Sequence, residues 1–79
     1  MTGVILTPGR PVTDDAGRVT GHRISRSGNA GGIGCPVLLS MDGEGGHAVW
    51  LVRDGRARPV MTTADPIAAG AAYDRRVNG

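Results

Sequence analysis

The chain has 79 residues, a formal charge of +2 and a single cysteine, Cys35. The length allows one domain, which spans residues 1–79. The lone cysteine excludes an internal disulfide framework, and the mild charge does not require a nucleic-acid partner. Fourteen glycines and no phenylalanine leave few side chains for a core, so contacts with neighbouring subunits are expected to help order the chain.

The first third of the chain predicts an arm, a hairpin and a loop. Residues 1–9 hold a short apolar run that ends at Pro-Gly, which predicts an extended N-terminal arm. Segments 11–13 and 18–24 flank Asp-Asp-Ala-Gly at 14–17, a sequence that suits a type I turn followed by a left-handed glycine. These segments predict a β-hairpin. Residues 27–34 have almost no side-chain bulk and predict a glycine-rich loop.

The middle of the chain predicts three antiparallel strands. Residues 35–41 and 47–53 are apolar enough for strands, and the second of these is the clearest in the chain. Asp54-Gly55 is the favoured pair for a two-residue type I′ turn, so residues 56–62 are expected to return antiparallel. Pro59 has no backbone N–H, which predicts that this last strand lies at the edge of the sheet.

Alternation along the central hairpin predicts its two faces. A two-residue turn pairs Arg53 with Arg56, and the same register continues outward along both strands. One face is apolar and is expected to form the core with Trp50 as its anchor: Ala48, Trp50, Val52, Ala57, Pro59 and Met61. The other face is only partly polar: His47, Val49, Leu51, Arg58 and Thr62. In this register Ala48 is expected to pair with Met61.

A helix is predicted over residues 65–76. Asp65 suits the N-cap position and Pro66 the first helical turn, while Arg75 and Arg76 complement the negative end of the helix dipole. The helix body consists mainly of small residues. It can therefore approach another backbone closely, although it buries little area.

The sequence from Trp50 to Val60 resembles hairpins in the repeat domains of actinobacterial type VII secretion membrane subunits. The resemblance covers 11 of the 79 residues and implies an antiparallel hairpin. No function is carried over from those proteins, because the sequence has no apolar run near 18 residues that would anchor it in a membrane. The N-terminus also has no signal-peptide pattern, so no membrane partner is expected.

No catalytic, metal-binding or cofactor-binding residues are predicted. Cys35 could pair with His22 or His47, but no third residue orients such a pair, and a cysteine beside Val37 is typical of a small buried side chain. The cluster of glycines at 28–34 fits neither the dinucleotide fingerprint nor the phosphate loop, which needs a lysine. The expected cofactor content is therefore none.

Arginines supply the predicted partner-binding surface. All nine basic residues are arginine, and residues 16–41 contain no acid. The predicted partner-binding residues are Arg18, His22, Arg23, Arg26 and Arg58. Arginine is enriched at protein interfaces, and no aromatic side chain alternates with these arginines to stack bases, so a protein partner is favoured over nucleic acid.

These features predict an all-β fold, either a small antiparallel sandwich or a partly open barrel, with one short C-terminal helix. The predicted function is a non-enzymatic structural subunit that contacts neighbouring subunits through its arm, glycine loop and edge strand. Arg, Gly, Ala and Val, which have GC-rich codons, are abundant and indicate a high-GC genome, so the most concrete form of the prediction is a capsid decoration protein of an actinobacterial phage, located in the virion. Two alternatives remain open: a nucleic-acid-binding β-barrel that uses Arg18, Arg23 and Arg26, and a cytoplasmic interaction or inhibitor module.

Overall fold

The chain folds into one five-stranded antiparallel half-barrel sheet with a C-terminal helix. The computed structural model describes residues 7–30 and 35–78, so most of the predicted arm and residues 31–34 of the predicted loop lie outside the described residues. The elements are β1 (Pro11–Thr13), β2 (Val19–Asn29), β3 (Pro36–Met41), β4 (His47–Arg53), β5 (Arg56–Thr63) and α1 (Pro66–Asn78). The predicted all-β fold is confirmed, and the single curved sheet matches the partly open barrel.

The strands follow one another in chain order across the sheet, β1-β2-β3-β4-β5. An isolated bridge between Asp14 and Ala57 brings the end of β1 close to the start of β5, so the sheet curls toward closure at that point. Within the described ranges, no helix combines the length and the apolar content that are needed to cross a membrane.

Two predicted turns form as their sequences require. In the β1–β2 turn, Asp14 Oδ1 accepts the N–H groups of Ala16 and Arg18 at 3.0 and 2.9 Å, and Gly17 has φ +81°. In the β4–β5 turn, Asp54 and Gly55 have φ +53° and +77°, as a type I′ turn demands. These turns set the start of the register in both hairpins.

The inner face of the sheet holds the core that Trp50 anchors. Trp50 is 5% exposed, and its Nε1–H donates to Ser40 Oγ at 2.7 Å. The buried residues of this inner cluster come from every strand: Val12, Ile24, Leu38, Ala48, Trp50, Val52 and Ala57. The indole ring therefore packs among apolar side chains, and its N–H group has a hydrogen-bond acceptor.

The outer face of the sheet is a second core, covered by α1. Val37 and Val49 are 0% exposed there and pack with Tyr73 of the helix. Asp65 caps the helix, since its Oδ1 accepts the N–H of Ile67 at 2.9 Å. The prediction of a single core face was wrong, because it did not anticipate that the helix would fold back over Val49.

A β-bulge changes the predicted register of the central hairpin. Trp50 pairs with Pro59 as expected, but Val49 then pairs with Met61 and Ala48 with Thr62 rather than with Met61. The bulge therefore leaves Val60 without a cross-strand partner. Because one inserted residue moves each following side chain to the other face, Met61 packs with the outer core. Its predicted place in the inner core was wrong, as was that of Pro59, which is exposed.

The strand β2 continues into the segment that was predicted to be a loop. Residues 27–29 pair with β3, and Gly28 lies opposite Val37. A Cβ atom on Gly28 would lie 2.8 Å from Tyr73 Oη and 3.3 Å from a methyl carbon of Val77. The loop prediction was therefore wrong for residues 27–29, because Gly28 is a strand residue whose missing side chain lets α1 approach the sheet.

Candidate functional site

The predicted arginines of β2 do not form one surface. Arg18 precedes β2 and Arg26 lies eight residues further along, a separation of about 25 Å in an extended strand. A bulge between Ile24 and Arg26 also changes which face the later residues occupy. A partner that contacts all three predicted arginines of this segment would have to span the length of the strand.

Two of these arginines are already engaged within the chain. Arg23 donates from Nη1 to the carbonyl oxygen of Gly9 at 2.9 Å. Arg26 lies 3.9 Å from Asp74 Oδ1 and 5.4 Å from the centroid of the Tyr73 ring. Arg26 therefore contacts two residues of α1, although both members of the ion pair are more than half exposed and such a pair contributes at most about 1 kcal/mol.

His22 belongs to a polar network that faces the inner core. Its Nδ1 lies 2.9 Å from Ser40 Oγ, and its ring meets the Trp50 ring edge-on at a centroid distance of 5.5 Å. Ser40 is fully buried and also accepts the indole N–H of Trp50. The structure therefore gives His22 a role in orienting Ser40 and Trp50.

Arg58, the fifth predicted residue, lies in a cleft that contains three more arginines. The cleft has a volume of about 750 Å³. We call it the arginine cleft and define it by the residues that line it: Arg53, Arg56, Arg58, Arg76, Asp15, Asp54, Leu51, Pro59 and Val60. Its volume falls within the range of small-ligand sites, and its lining combines four cations with an aliphatic floor.

The chain path explains why these arginines meet. Arg53 and Arg56 flank the Asp54-Gly55 turn, and Arg58 follows on the same face of β5. After β5 ends at Thr63, α1 packs back over the outer face, and 13 helical residues span about 20 Å. That length returns the last helical turn, with Arg76, to the end of the sheet where β5 begins.

The charges of the arginine cleft are only partly balanced from within the chain, because four arginines line it with two acids. Arg53 and Arg56 are direct cross-strand partners, an arrangement of like charges that destabilises a sheet. All nine arginines and all seven acids lie within the described residues, where Arg26–Asp74 is the one ion pair within 4.0 Å. Arg56 Nη1 donates to the backbone carbonyl oxygen of Asp15 at 3.3 Å, but neither Asp15 nor Asp54 pairs with a cleft arginine through its carboxylate at that distance. The four guanidinium groups therefore have no anionic partner within the described residues and can take an external one.

Arg53→Glu tests the cost of this arrangement. The introduced carboxylate would face Arg56 directly, so we expect the free energy of unfolding to rise by roughly 0.2–1 kcal/mol at low salt. Urea titration followed by circular dichroism measures the change, and the gain should shrink at high ionic strength because exposed charges are screened. A loss of stability at low salt would show that the two arginines do not repel one another in the folded chain.

Sequence reasoning missed three of the four arginines in this cleft. Arg53 and Arg56 were placed at the ends of the two predicted strands and Arg76 at the end of the helix, where their individual presence is ordinary. The available signal was the register itself, since the Asp54-Gly55 turn already placed Arg53 opposite Arg56. The contribution of Arg76 depended on the return of α1, which the sequence did not show.

A smaller cleft of about 280 Å³ lies at the opposite end of β4, lined in part by His22, His47 and Asp42. Within residues 7–30 and 35–78, no group of three or more His, Cys, Asp or Glu side chains is placed to hold a metal ion. Asp42 Oδ1 accepts the N–H groups of Gly46 and Glu44, both at 2.8 Å. These bonds, with that from Gly46 the larger influence, hold the pKa of Asp42 below its usual value.

The lowered pKa of Asp42 predicts that the folded chain loses stability in acid. Because its pKa is lower in the folded chain than in the unfolded chain, its stabilising contribution is complete above about pH 4 and is lost as the pH falls further. Asp42→Asn keeps an oxygen acceptor for the turn but removes the titration. We expect the wild-type chain to be the more stable at pH 6 and the difference from Asp42→Asn to narrow at pH 3, measured by urea unfolding. A difference that is constant with pH would contradict this role.

No protein-family model matches the chain, and comparisons with curated proteins and with solved structures give no significant match. The candidate site therefore rests on its own geometry.

Proposed function

We propose that this protein is a non-enzymatic structural subunit of a larger protein assembly, and that it contacts a neighbouring subunit through the arginine cleft. The observation that carries the proposal is a cleft that four arginines line with only two acids, none of them in an ion pair within 4.0 Å. Like charges opposed across two strands cost stability in the isolated chain. Their presence is explained if a partner supplies the counter-charge.

The composition of the cleft supports a protein partner. Arginine is enriched at protein interfaces and is over-represented among the residues that dominate binding energy. Leu51, Pro59 and Val60 add aliphatic area beside the guanidinium groups. The edge strand is a weaker contact surface than the sequence suggested, because Pro59 lacks the N–H that an added strand would need and Asp14 already bridges Ala57.

In its most concrete form, the proposal is a decoration or accessory protein of the virion of a phage from a high-GC host. The support is compositional: a small glycine-rich chain with arginine as its only basic residue. A cytoplasmic interaction or inhibitor module remains an alternative. Nucleic-acid binding is the second candidate function, favoured by the same four arginines, although the predicted set of Arg18, Arg23 and Arg26 is spread along β2.

Sedimentation tests assembly membership even while the partner is unidentified. The tagged chain is expressed at its native level in its own host, and an extract or purified particles from that host are sedimented. The chain should sediment in a complex far larger than its own 8.1 kDa. Arg56→Glu with Arg58→Glu should shift the chain toward the monomer position. Arg10→Glu with Arg75→Glu makes the same change in net charge at exposed residues outside the arginine cleft and should not. A wild-type chain that sediments as a monomer would contradict the proposal.

A further inference from the structure

The arginines on β5 have the spacing of an extended chain. Arg56 and Arg58 are two residues apart in one strand, so their side chains leave the same face about 7 Å apart. Both residues are exposed. Arg53 extends the row across the hairpin, directly opposite Arg56, while Arg58 lies opposite Leu51. The result is a pair of cations at strand period, flanked by a third on the neighbouring strand.

We propose that the arginine cleft binds an extended acidic segment of the neighbouring protein, in which two carboxylates lie two residues apart. The inference rests on the proposed function, because it names the chemistry of the same contact. Side chains at i and i+2 of an extended peptide project to one side with the spacing of Arg56 and Arg58. Each carboxylate can then accept two parallel hydrogen bonds from one guanidinium group.

The other residues of the cleft favour a peptide over a nucleic acid. The apolar residues of its floor, Leu51, Pro59 and Val60, are aliphatic, and none of the described residues that line it is aromatic, so no side chain there can stack a base. The methylene groups of a glutamate can contact this floor while its carboxylate reaches an arginine. Asp15 and Asp54 also line the cleft, and they would repel the unbroken charge of a phosphate backbone more than two separated carboxylates.

Arg76 extends the site beyond the sheet. It comes from the last turn of α1, whereas the other three arginines come from the β4–β5 hairpin. Carboxylate groups held between the hairpin and the helix would relieve the repulsion between Arg53 and Arg56 and would link α1 to β5. Occupation of the arginine cleft is therefore expected to stabilise the fold as well as to join two proteins.

Two isomeric peptides test the spacing. Acetyl-Thr-Glu-Thr-Glu-Thr-amide presents both glutamates on one side of an extended chain, whereas acetyl-Thr-Glu-Glu-Thr-Thr-amide presents them on opposite sides. The two have equal charge and composition. Titration of each into the ¹⁵N-labelled full-length chain at low salt, followed by backbone and arginine Nε–H resonances, gives both affinities. We expect weak binding, with Kd values about 1 mM, and a preference for the alternating peptide of roughly threefold to fivefold, since an exposed ion pair contributes at most about 1 kcal/mol.

Two variants locate the effect. Arg58→Gln removes one cation of the i, i+2 pair and should make the two peptides bind equally. Arg10→Gln with Arg75→Gln lowers the net charge further but leaves the arginine cleft intact, so the preference should persist. The NMR spectra themselves report whether each variant is folded.

Three results would overturn the inference: equal wild-type affinity for the two peptides, no binding of either, or tighter binding of a five-residue oligothymidylate than of the alternating peptide. The sedimentation experiment separates this failure from a failure of the proposed function. If the wild-type chain sediments in a large complex and the Arg56→Glu, Arg58→Glu variant does not, any of these three results removes only the acidic-peptide partner. A monomeric chain in extracts would instead remove the proposed function.

Discussion

Trp50→Ala should leave the chain unfolded or nearly so at 25 °C. Trp50 lies at the centre of the inner cluster, 5% exposed, and replacing a buried tryptophan by alanine costs about 3–5 kcal/mol. A core in a chain of this size supplies only about 3–5 kcal/mol in total. The substitution also removes the N–H donor that Ser40 Oγ accepts. Far-ultraviolet circular dichroism and the dispersion of amide resonances report the loss directly.

Two matched variants separate packing from hydrogen bonding at this position. Trp50→Phe keeps most of the aromatic volume and removes the N–H, so we expect a smaller loss of about 1–3 kcal/mol and a folded chain. Val19→Ala truncates a side chain that is 70% exposed and should change the free energy of unfolding by less than about 0.5 kcal/mol. A folded Trp50→Ala variant with a stability near that of Val19→Ala would refute the anchoring role of Trp50.

Tyr73→Ala should release α1 from the sheet. Tyr73 is 5% exposed, packs with Val37 and Val49, and supports Arg26 through its ring. Its removal is expected to cost about 3 kcal/mol, the lower part of the range for large aromatic residues. Since α1 has few other large side chains, we expect faster amide hydrogen exchange throughout the helix and in β3 and β4 beneath it.

Ile67→Ala is the control on the same helix. Ile67 is 81% exposed, so its truncation should leave both the stability and the exchange rates close to those of the wild-type chain. Gly28→Val disturbs the same contact from β2, because the valine side chain would collide with Tyr73 Oη and Val77. It should therefore also speed amide exchange in α1. If Gly28→Val and Tyr73→Ala both left the exchange of α1 unchanged, the docking of the helix on this face would be incorrect.

Local sequence signals were sufficient for much of the fold. The Asp54-Gly55 turn fixed the first pairs of the β4–β5 hairpin, from Arg53↔Arg56 to Trp50↔Pro59, because a two-residue turn leaves one register. The Asp14–Gly17 turn and the Asp65 cap were predictable for the same reason, since each places its hydrogen bonds within four residues. The edge position of β5 followed from the missing N–H of Pro59.

Features that depend on tertiary packing were not predictable from the sequence. The bulge at Val60 reversed the face of Met61, and the neighbouring Pro59 did not reveal it, because a strand proline is typical of an edge strand as well as of a bulge. Gly28 was predicted to lie in a loop, because the sequence does not show that Tyr73 and Val77 pack against it and leave no room for a side chain. The candidate site was likewise only partly foreseen: Arg58 was predicted, whereas Arg76 reaches the arginine cleft because α1 returns along the outer face of the sheet.

Arginine-selective chemical modification tests the central claim most directly, namely that the arginine cleft is the surface through which the chain joins its assembly. The assembled complex and the isolated chain would be treated with phenylglyoxal, and the modification of each arginine measured by mass spectrometry. We predict that Arg53, Arg56, Arg58 and Arg76 react in the isolated chain and are protected in the complex, while the exposed Arg10 and Arg75 react in both. Equal reactivity of the four cleft arginines in the two samples would contradict the claim.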